Sequence, residues 1–252
     1  MDYELIFFFF AIAFLYSSVG FGGGSSYLAI LSLYSFEYRL LRTIALVCNL
    51  IVVSGGTYLF AKQGHINWKK TLPLVLVSVP LAFIGARIPF KENVFFILLG
   101  STLIIAGIIM LLEDYLRKKS IQDASEGKKA MPIVNGAIGG GIGLLAGSVG
   151  IGGGIFLSPL LHIMHWDKAK TIAGTASFFI LINSASGLAG QLSQGNLTFD
   201  FKMILYLGLS VLVGGQLGSR LSVFRLSQKK VKILTALLVL FAGGRLLLKY
   251  LV

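Results

Sequence analysis

Apolar residues run in eight long segments, near residues 4–34, 41–61, 71–90, 94–112, 132–164, 171–192, 203–221 and 231–248, and charged residues collect in the short stretches between them. A helix that crosses a bilayer needs about 20 consecutive apolar residues. Each segment therefore predicts membrane helix, with four units in each half of the chain. The first and fifth segments, about 30 residues each, are interrupted by Gly20-Phe21-Gly22-Gly23-Gly24 and Gly150-Ile151-Gly152-Gly153-Gly154. Two broken helices are expected, one near the start of each half.

The duplication reaches beyond the glycines. Arg42-Thr43-Ile44-Ala45 is echoed by Lys170-Thr171-Ile172-Ala173, Gln63-Gly64 by Gln194-Gly195, and Gly85-Ala86-Arg87 by Gly218-Ser219-Arg220, at offsets between about 128 and 133 residues. That is too long for a solenoid module. It matches the half-molecule repeats on which secondary transporters are built, with the substrate held between halves.

Composition agrees with a lipid solvent: 56% of the residues are hydrophobic and 13% charged. The net charge of +12 would suit nucleic acid if it formed a basic stripe. Lys and Arg lie instead in short loops, where they act as topology signals, so no nucleic-acid partner is expected. The single cysteine, Cys48, excludes an intrachain disulfide and reads as a small buried hydrophobe. The first residues lack the basic region of a cleavable signal, and the first segment is expected to be retained.

Basic residues also discriminate between two paths of the broken segments. If each crosses the membrane once, the 22 Lys and Arg residues divide eleven to eleven and the repeats are parallel. If each is a re-entrant hairpin that returns to the face it entered from, one face gathers fifteen and the other seven. Cytoplasmic loops are the basic ones, which favours the hairpin. The predicted fold is then all-α, a polytopic membrane protein of two inverted repeats. Each repeat has a glycine-broken re-entrant helix and three transmembrane helices. The first occupies 1–113 and the second 132–252, joined by a flexible cytoplasmic linker at 114–131, with both termini outside the cytoplasm.

Backbone that leaves the helix at membrane depth must face protein or a watery cavity, because lipid offers no hydrogen bonds. Glycine permits the positive φ of such turns and lets a ligand approach the main chain. The helix that follows each break aims unpaired N–H groups and its positive dipole end inward. Two such ends make an anion cradle without a buried basic side chain. Gly20, Gly22, Gly23, Gly24, Gly150, Gly152, Gly153 and Gly154 are the candidate substrate residues, with Ser18, Ser25 and Ser148 as flanking hydroxyl donors. Serine in a membrane helix also bonds to its own backbone or to a neighbour. Asn49 and Ser177 become repeat equivalents when Thr43 is matched to Thr171, and could face each other across the pseudo-twofold axis. Thr175 and Asn183 are further polar positions, for which interhelical hydrogen bonding is the ordinary explanation. Arg87 and Arg220, at equivalent span ends, are candidate gating residues, although an Arg there commonly snorkels to headgroups.

Acidic residues all lie at termini, loops or span ends, which argues against a cation site or a carboxylate relay. His162 and His165 share a helix face without an acidic companion, so no metal or other cofactor is expected. Enzymatic function would require a nucleophile with its base, or a metal cluster, within the spans; the sequence offers neither.

The paired motifs SSVGFGGGSS at 17–26 and AGSVGIGGGIFLSP at 146–159, with RTIALVCN at 42–49 and KTIAGTAS at 170–177, closely resemble the hallmark of the TauE/SafE family of membrane permeases. The resemblance implies movement of small sulfur oxyanions or organic anions, such as sulfite and sulfonates, across a prokaryotic plasma membrane. The first copy has Ser25-Ser26 where the second has Ile155-Phe156, and it lacks a counterpart of Pro159, so the half-sites should differ. The expected function is secondary transport of such an anion, with an anion channel on the same scaffold as the alternative. Partners are the anion and the bilayer; the sequence leaves open whether copies associate as a homo-oligomer.

Overall fold

A computed structural model describes residues 3–17, 21–34, 36–123, 132–195, 200–221 and 228–251, and the described residues form ten α-helices. The first five are α1 (Tyr3–Ser17), α2 (Gly24–Leu31), α3 (Tyr38–Lys62), α4 (Trp68–Arg87) and α5 (Glu92–Asp123). The second five are α6 (Pro132–Val149), α7 (Gly154–Ile163), α8 (Ala169–Leu192), α9 (Phe201–Leu221) and α10 (Gln228–Leu251). Each half thus repeats the order of a medium helix, a short one and three long ones. Both long apolar segments are split at the glycines, the first into α1 and α2 and the second into α6 and α7. α3, α4, α5, α8, α9 and α10 are long and apolar enough to cross a membrane. Residues 114–123, predicted to begin a flexible linker, instead continue α5 as helix. Residues 124–131 of the predicted linker lie outside the described residues.

Glycine stripes set the closest helix contacts. Gly139, Gly143 and Gly147 of α6 lie in turn on the backbone of Leu74, Ser78 and Ala82 of α4, and a Cβ at any of the three would collide with the facing carbonyl. In membranes such small residues let two backbones approach and gain dispersion energy where apolar burial offers little. α1 and α9 repeat the arrangement, with Gly214 and Gly218 against the carbonyls of Phe10 and Phe14, and Ser210 Oγ donating to Ile6 O at 2.7 Å. Residue numbers rise together along both contacts, so α4 runs parallel to α6, and α1 parallel to α9.

Other pairs fix the remaining directions. Thr71 Oγ1 and Thr175 Oγ1 lie 3.0 Å apart, Asn183 Nδ2 donates to Ser78 Oγ at 2.9 Å, and Ser186 Oγ donates to Val79 O at 2.6 Å. α8 is therefore parallel to α4, and hence to α6. α7, which joins α6 to α8, must carry the chain back. In the first half, α3 packs along α9 through Ile51 on Gly208 and Val52 on Gly215. It shares the direction of α1, and α2 reverses the chain likewise.

α3 and α8 run in opposite directions, with Thr43 on Gln191, Leu46 on Gly187, Thr57 on Ser177 and Phe60 on Gly174. α5 and α10 are also antiparallel: Gly100 meets Leu247, and Gly107 meets Leu240. The largest core cluster joins α1, α2, α3, α5, α9 and α10 around Tyr27, which stacks on Phe9 at 4.6 Å. A second cluster joins α4, α6, α7 and α8. Large apolar side chains such as Phe7, Leu76, Ile105, Leu212, Phe241 and Leu248 point outward, a surface that water would penalise and hydrocarbon accepts.

Candidate functional site

The described parts of the two breaks share a backbone closure and a left-handed glycine before the second helix. At the end of α1, Phe21 N–H reaches back to Tyr16 O at 2.9 Å; at the end of α6, Ile151 N–H reaches Ala146 O at 3.2 Å. These six-residue closures are the form in which helices end on a left-handed residue. Gly150 has φ 87° and Gly152 φ 80°, and the residues that precede α2 and α7, Gly23 and Gly153, have φ 89° and 85°. A side-chain-bearing residue would be strained at each by about 1–2 kcal/mol. No side chain caps α2 or α7, so the first N–H groups of each helix have no partner within it and present its positive dipole end.

Asn49, halfway along α3, brings the breaks together. Its Nδ2 donates to Ile151 O of the second turn at 3.1 Å. A Cβ on Gly22 of the first turn would lie 2.5 Å from Asn49 Oδ1 and 2.8 Å from Val53 Cγ1. A Cβ on Gly152 would lie 2.7 Å from Asn49 Nδ2 and 2.8 Å from Ser184 Oγ. Asn49 Oδ1 and Ser184 Oγ are buried without hydrogen-bond partners. Such orphaned groups cost about 1–3 kcal/mol each. Beside Asn49 is a cavity of about 20 Å³ lined by Tyr16, Gly22, Gly23, Gly24, Ser25, Gly154 and Thr235, among others. It has room for about one water.

Other predicted residues are placed differently. Ser25 lines the cavity, and the neighbouring Ser26 is held by a hydrogen bond with Tyr16. Ser148 packs on α4, where its Oγ would lie 2.9 Å from a Cβ on Gly85. Gly150 faces Arg42, and Gly153 faces Phe179 and Ile142. Ser177 does not meet Asn49; its hydroxyl pairs with Thr57 Oγ1 at 3.0 Å, two helical turns further along α3. Asn49 lies over Gly24 as Ile180 lies over Gly154, so the spatial counterpart of Asn49 is Ile180, three residues beyond Ser177. Thr175 and Asn183 serve helix packing through Thr71 and Ser78. Arg87 is exposed over the Phe83 ring at 5.6 Å. Ser18, Gly20 and the side chain of Arg220 lie outside the described residues.

Two groups at the site escaped the sequence reading. Ser184 lies on the α8 face that carries Ile180, four residues on, a helical spacing that could have marked it. Arg42 was read only as part of a repeat; it is buried, and its Nη2 donates to Ala86 O at 3.2 Å and Gly147 O at 2.9 Å. These carbonyls terminate α4 and α6, where a cation is favoured by both helix dipoles.

Six apolar spanning helices and two glycine-broken helices that meet around orphaned polar atoms describe a multi-pass membrane transporter. The chain belongs to the sulfite exporter TauE/SafE family, whose model matches residues 5–246. It is 30% identical to a probable membrane transporter protein, y4hK, of Sinorhizobium fredii over 243 residues, 95% of each chain. It is also 31% identical to a probable membrane transporter protein of Haemophilus influenzae over 150 residues, covering 56% of this chain and 53% of that one. No solved structure matches it. The protein is accordingly a transporter and not an enzyme, multi-pass in the plasma membrane.

Proposed function

We propose that the chain is a secondary transporter of small sulfur-containing or organic anions, such as sulfite or sulfonates, which bind between the N-termini of α2 and α7 at mid-membrane. The observation that carries this reading is the meeting of both glycine turns at Asn49, beside the unpartnered Asn49 Oδ1 and Ser184 Oγ. Main-chain N–H groups and two dipole ends give the anion its charge stabilisation, and Ser184 and Ser25 add hydroxyl donors. Asn49 Oδ1, which can only accept, suits a protonated oxygen of the guest or an accompanying water. The family description supplies sulfite as the first substrate to test.

We read 1–113 and 132–252 as inverted repeats with re-entrant α1–α2 and α6–α7 hairpins. Equivalent helices α3 and α8 are antiparallel, as are α5 and α10. A twofold axis that exchanges antiparallel helices is perpendicular to them, and therefore lies in the membrane plane. Such repeats permit alternating access by rocking of one bundle against the other. The membrane potential drives an anion outward with about 2.3 kcal/mol per charge per 100 mV, so efflux requires no nucleotide.

Thermal unfolding of the purified protein with sulfite, thiosulfate, sulfonates and carboxylates tests the reading. A bound anion at 100-fold its Kd stabilises the fold by about 2.7 kcal/mol. One class of anion should raise Tm in the parent protein and not in Gly22→Ala. No shift with any anion, or an equal shift in the variant, would refute the assignment.

A further inference from the structure

We propose a second anion-binding site, distinct from the glycine cradle, in the vestibule formed by Arg42, Gln191, Gln194 and Arg39 at the end of the molecule where α3 begins and α4 and α8 end. It takes the same chemical class, a small oxyanion bearing sulfonate, sulfite or carboxylate oxygens. The proposal deepens the transport reading by giving the anion a stop on one side of the cradle, but its test does not depend on that reading.

The vestibule is a cavity of about 70 Å³ bounded by Tyr38, Arg39, Arg42, Ile88, Pro89, Gln191 and Gln194. Arg42 is 5% exposed and Gln191 7%, so both are almost wholly withdrawn from water. Arg42 Nη2 is held by Ala86 O and Gly147 O, while its Nε is buried with no acceptor. Gln191 Oε1 accepts from Thr43 Oγ1 at 3.1 Å, which leaves its Nε2 buried and likewise without a partner. Two residues that line one cavity thus each keep a buried donor without a partner. Among the described residues no carboxylate forms an ion pair with Arg42. The neighbouring Glu37 is 3.9 Å from Arg39 in a half-exposed pair on the rim.

A guanidinium does not release its proton, and a buried charge without a partner is strongly destabilising. An exchangeable anion in the vestibule compensates Arg42 and is recognised by the guanidinium and carboxamide donors. The position also serves the path inward. Gly150 of the second turn packs on Arg42, where a Cβ would lie 3.2 Å from its Cβ and Cγ. Asn49 is seven residues further along α3, roughly 10 Å away at the helical rise. Arg87, which the paired repeats offer with Arg220 as a gate, does not line this cavity; its side chain is exposed over the Phe83 ring.

The test places a reporter at the rim. Gln194→Cys is made in a Cys48→Ala background and purified in lipid nanodiscs. It is then modified with 2-sulfonatoethyl methanethiosulfonate or its trimethylammonium-ethyl counterpart at matched ionic strength. The anionic reagent should react about tenfold faster, the discrimination expected of one charge-assisted hydrogen bond. Sodium sulfate should slow it relative to chloride. Adding Gln191→Glu, which sets a carboxylate beside Arg42, should bring the two rates close to parity. If that variant does not remain monodisperse, sulfate protection of the parent decides alone. Equal rates for the two reagents, or a preference that sulfate leaves unchanged, would overturn the vestibule site. Sulfate protection that persists in Gly152→Val supports a site separate from the cradle, and its loss there would contradict that separation. The part of the thermal stabilisation by anions that Gly22→Ala removes reports on the cradle whichever way the rim experiment falls.

Discussion

At Gly22 the absence of one carbon decides what the site can hold. Its φ is ordinary, so alanine is tolerated by the backbone, yet the added Cβ would crowd Asn49 Oδ1 at 2.5 Å. Gly22→Ala should therefore fold, lose anion-dependent stabilisation and reduce flux by more than about tenfold, the effect of roughly 1.4 kcal/mol. Gly152 is different, because its φ of 80° adds backbone strain to the clash with Asn49 and Ser184. Gly152→Val should lower Tm as well as flux, through a cost of about 1–3 kcal/mol, measurable by thermal unfolding in lipid nanodiscs. The sequence made these glycines legible because left-handed turns at membrane depth call for one residue type. It hid Arg42, since a cation near a span end is ordinarily a topology signal and its burial depends on where α4 and α6 end.

At the level of elements, the sequence pattern and the helices agree closely where hydrophobicity alone decides the outcome. All eight apolar segments are helical, and the two long ones break at the glycines. The register between α3 and α8 was less legible. The shared Thr-Ile-Ala of Thr43 and Thr171 suggests an offset of 128, but the positions of Asn49 over Gly24 and Ile180 over Gly154 match Asn49 with Ile180, nearly one turn away. Local motifs carry no information about which face of a helix meets its partner. Linker composition misled in a related way: charged residues after Glu113 read as solvated coil, yet α5 continues through Asp123. Lys232 of α10 meets Asp114 at 2.8 Å and Glu113 at 3.4 Å, which holds that end of α5 to its antiparallel neighbour. The glycine stripe of α6 gives an element-scale prediction. Gly143→Leu would drive a side chain into the Ser78 backbone, and the overpacking should cost about 1–3 kcal/mol or more, seen as a lowered Tm and impaired α4–α6 packing.

For the whole molecule, the two halves interleave. α1 rests on α9 and α6 on α4, so the helix before each glycine turn is gripped by a long helix from the other half. Movement of one bundle against the other must then carry both turns and reshape the cavity between them. The proposed inverted arrangement would put the segment joining the halves in the cytoplasm, together with most Lys and Arg residues. A cysteine introduced within 124–131 should be labelled by an impermeant reagent only in inside-out vesicles, and labelling of intact cells would reverse the orientation.

The most direct measurement of the central claim is sulfite and sulfonate flux into proteoliposomes containing the parent protein, Gly22→Ala or Asn49→Leu, each shown to be folded by its unfolding transition. Saturable flux in the parent that falls more than about tenfold in both variants is the expected result. Undiminished flux in both folded variants would contradict an anion site at the paired glycine turns.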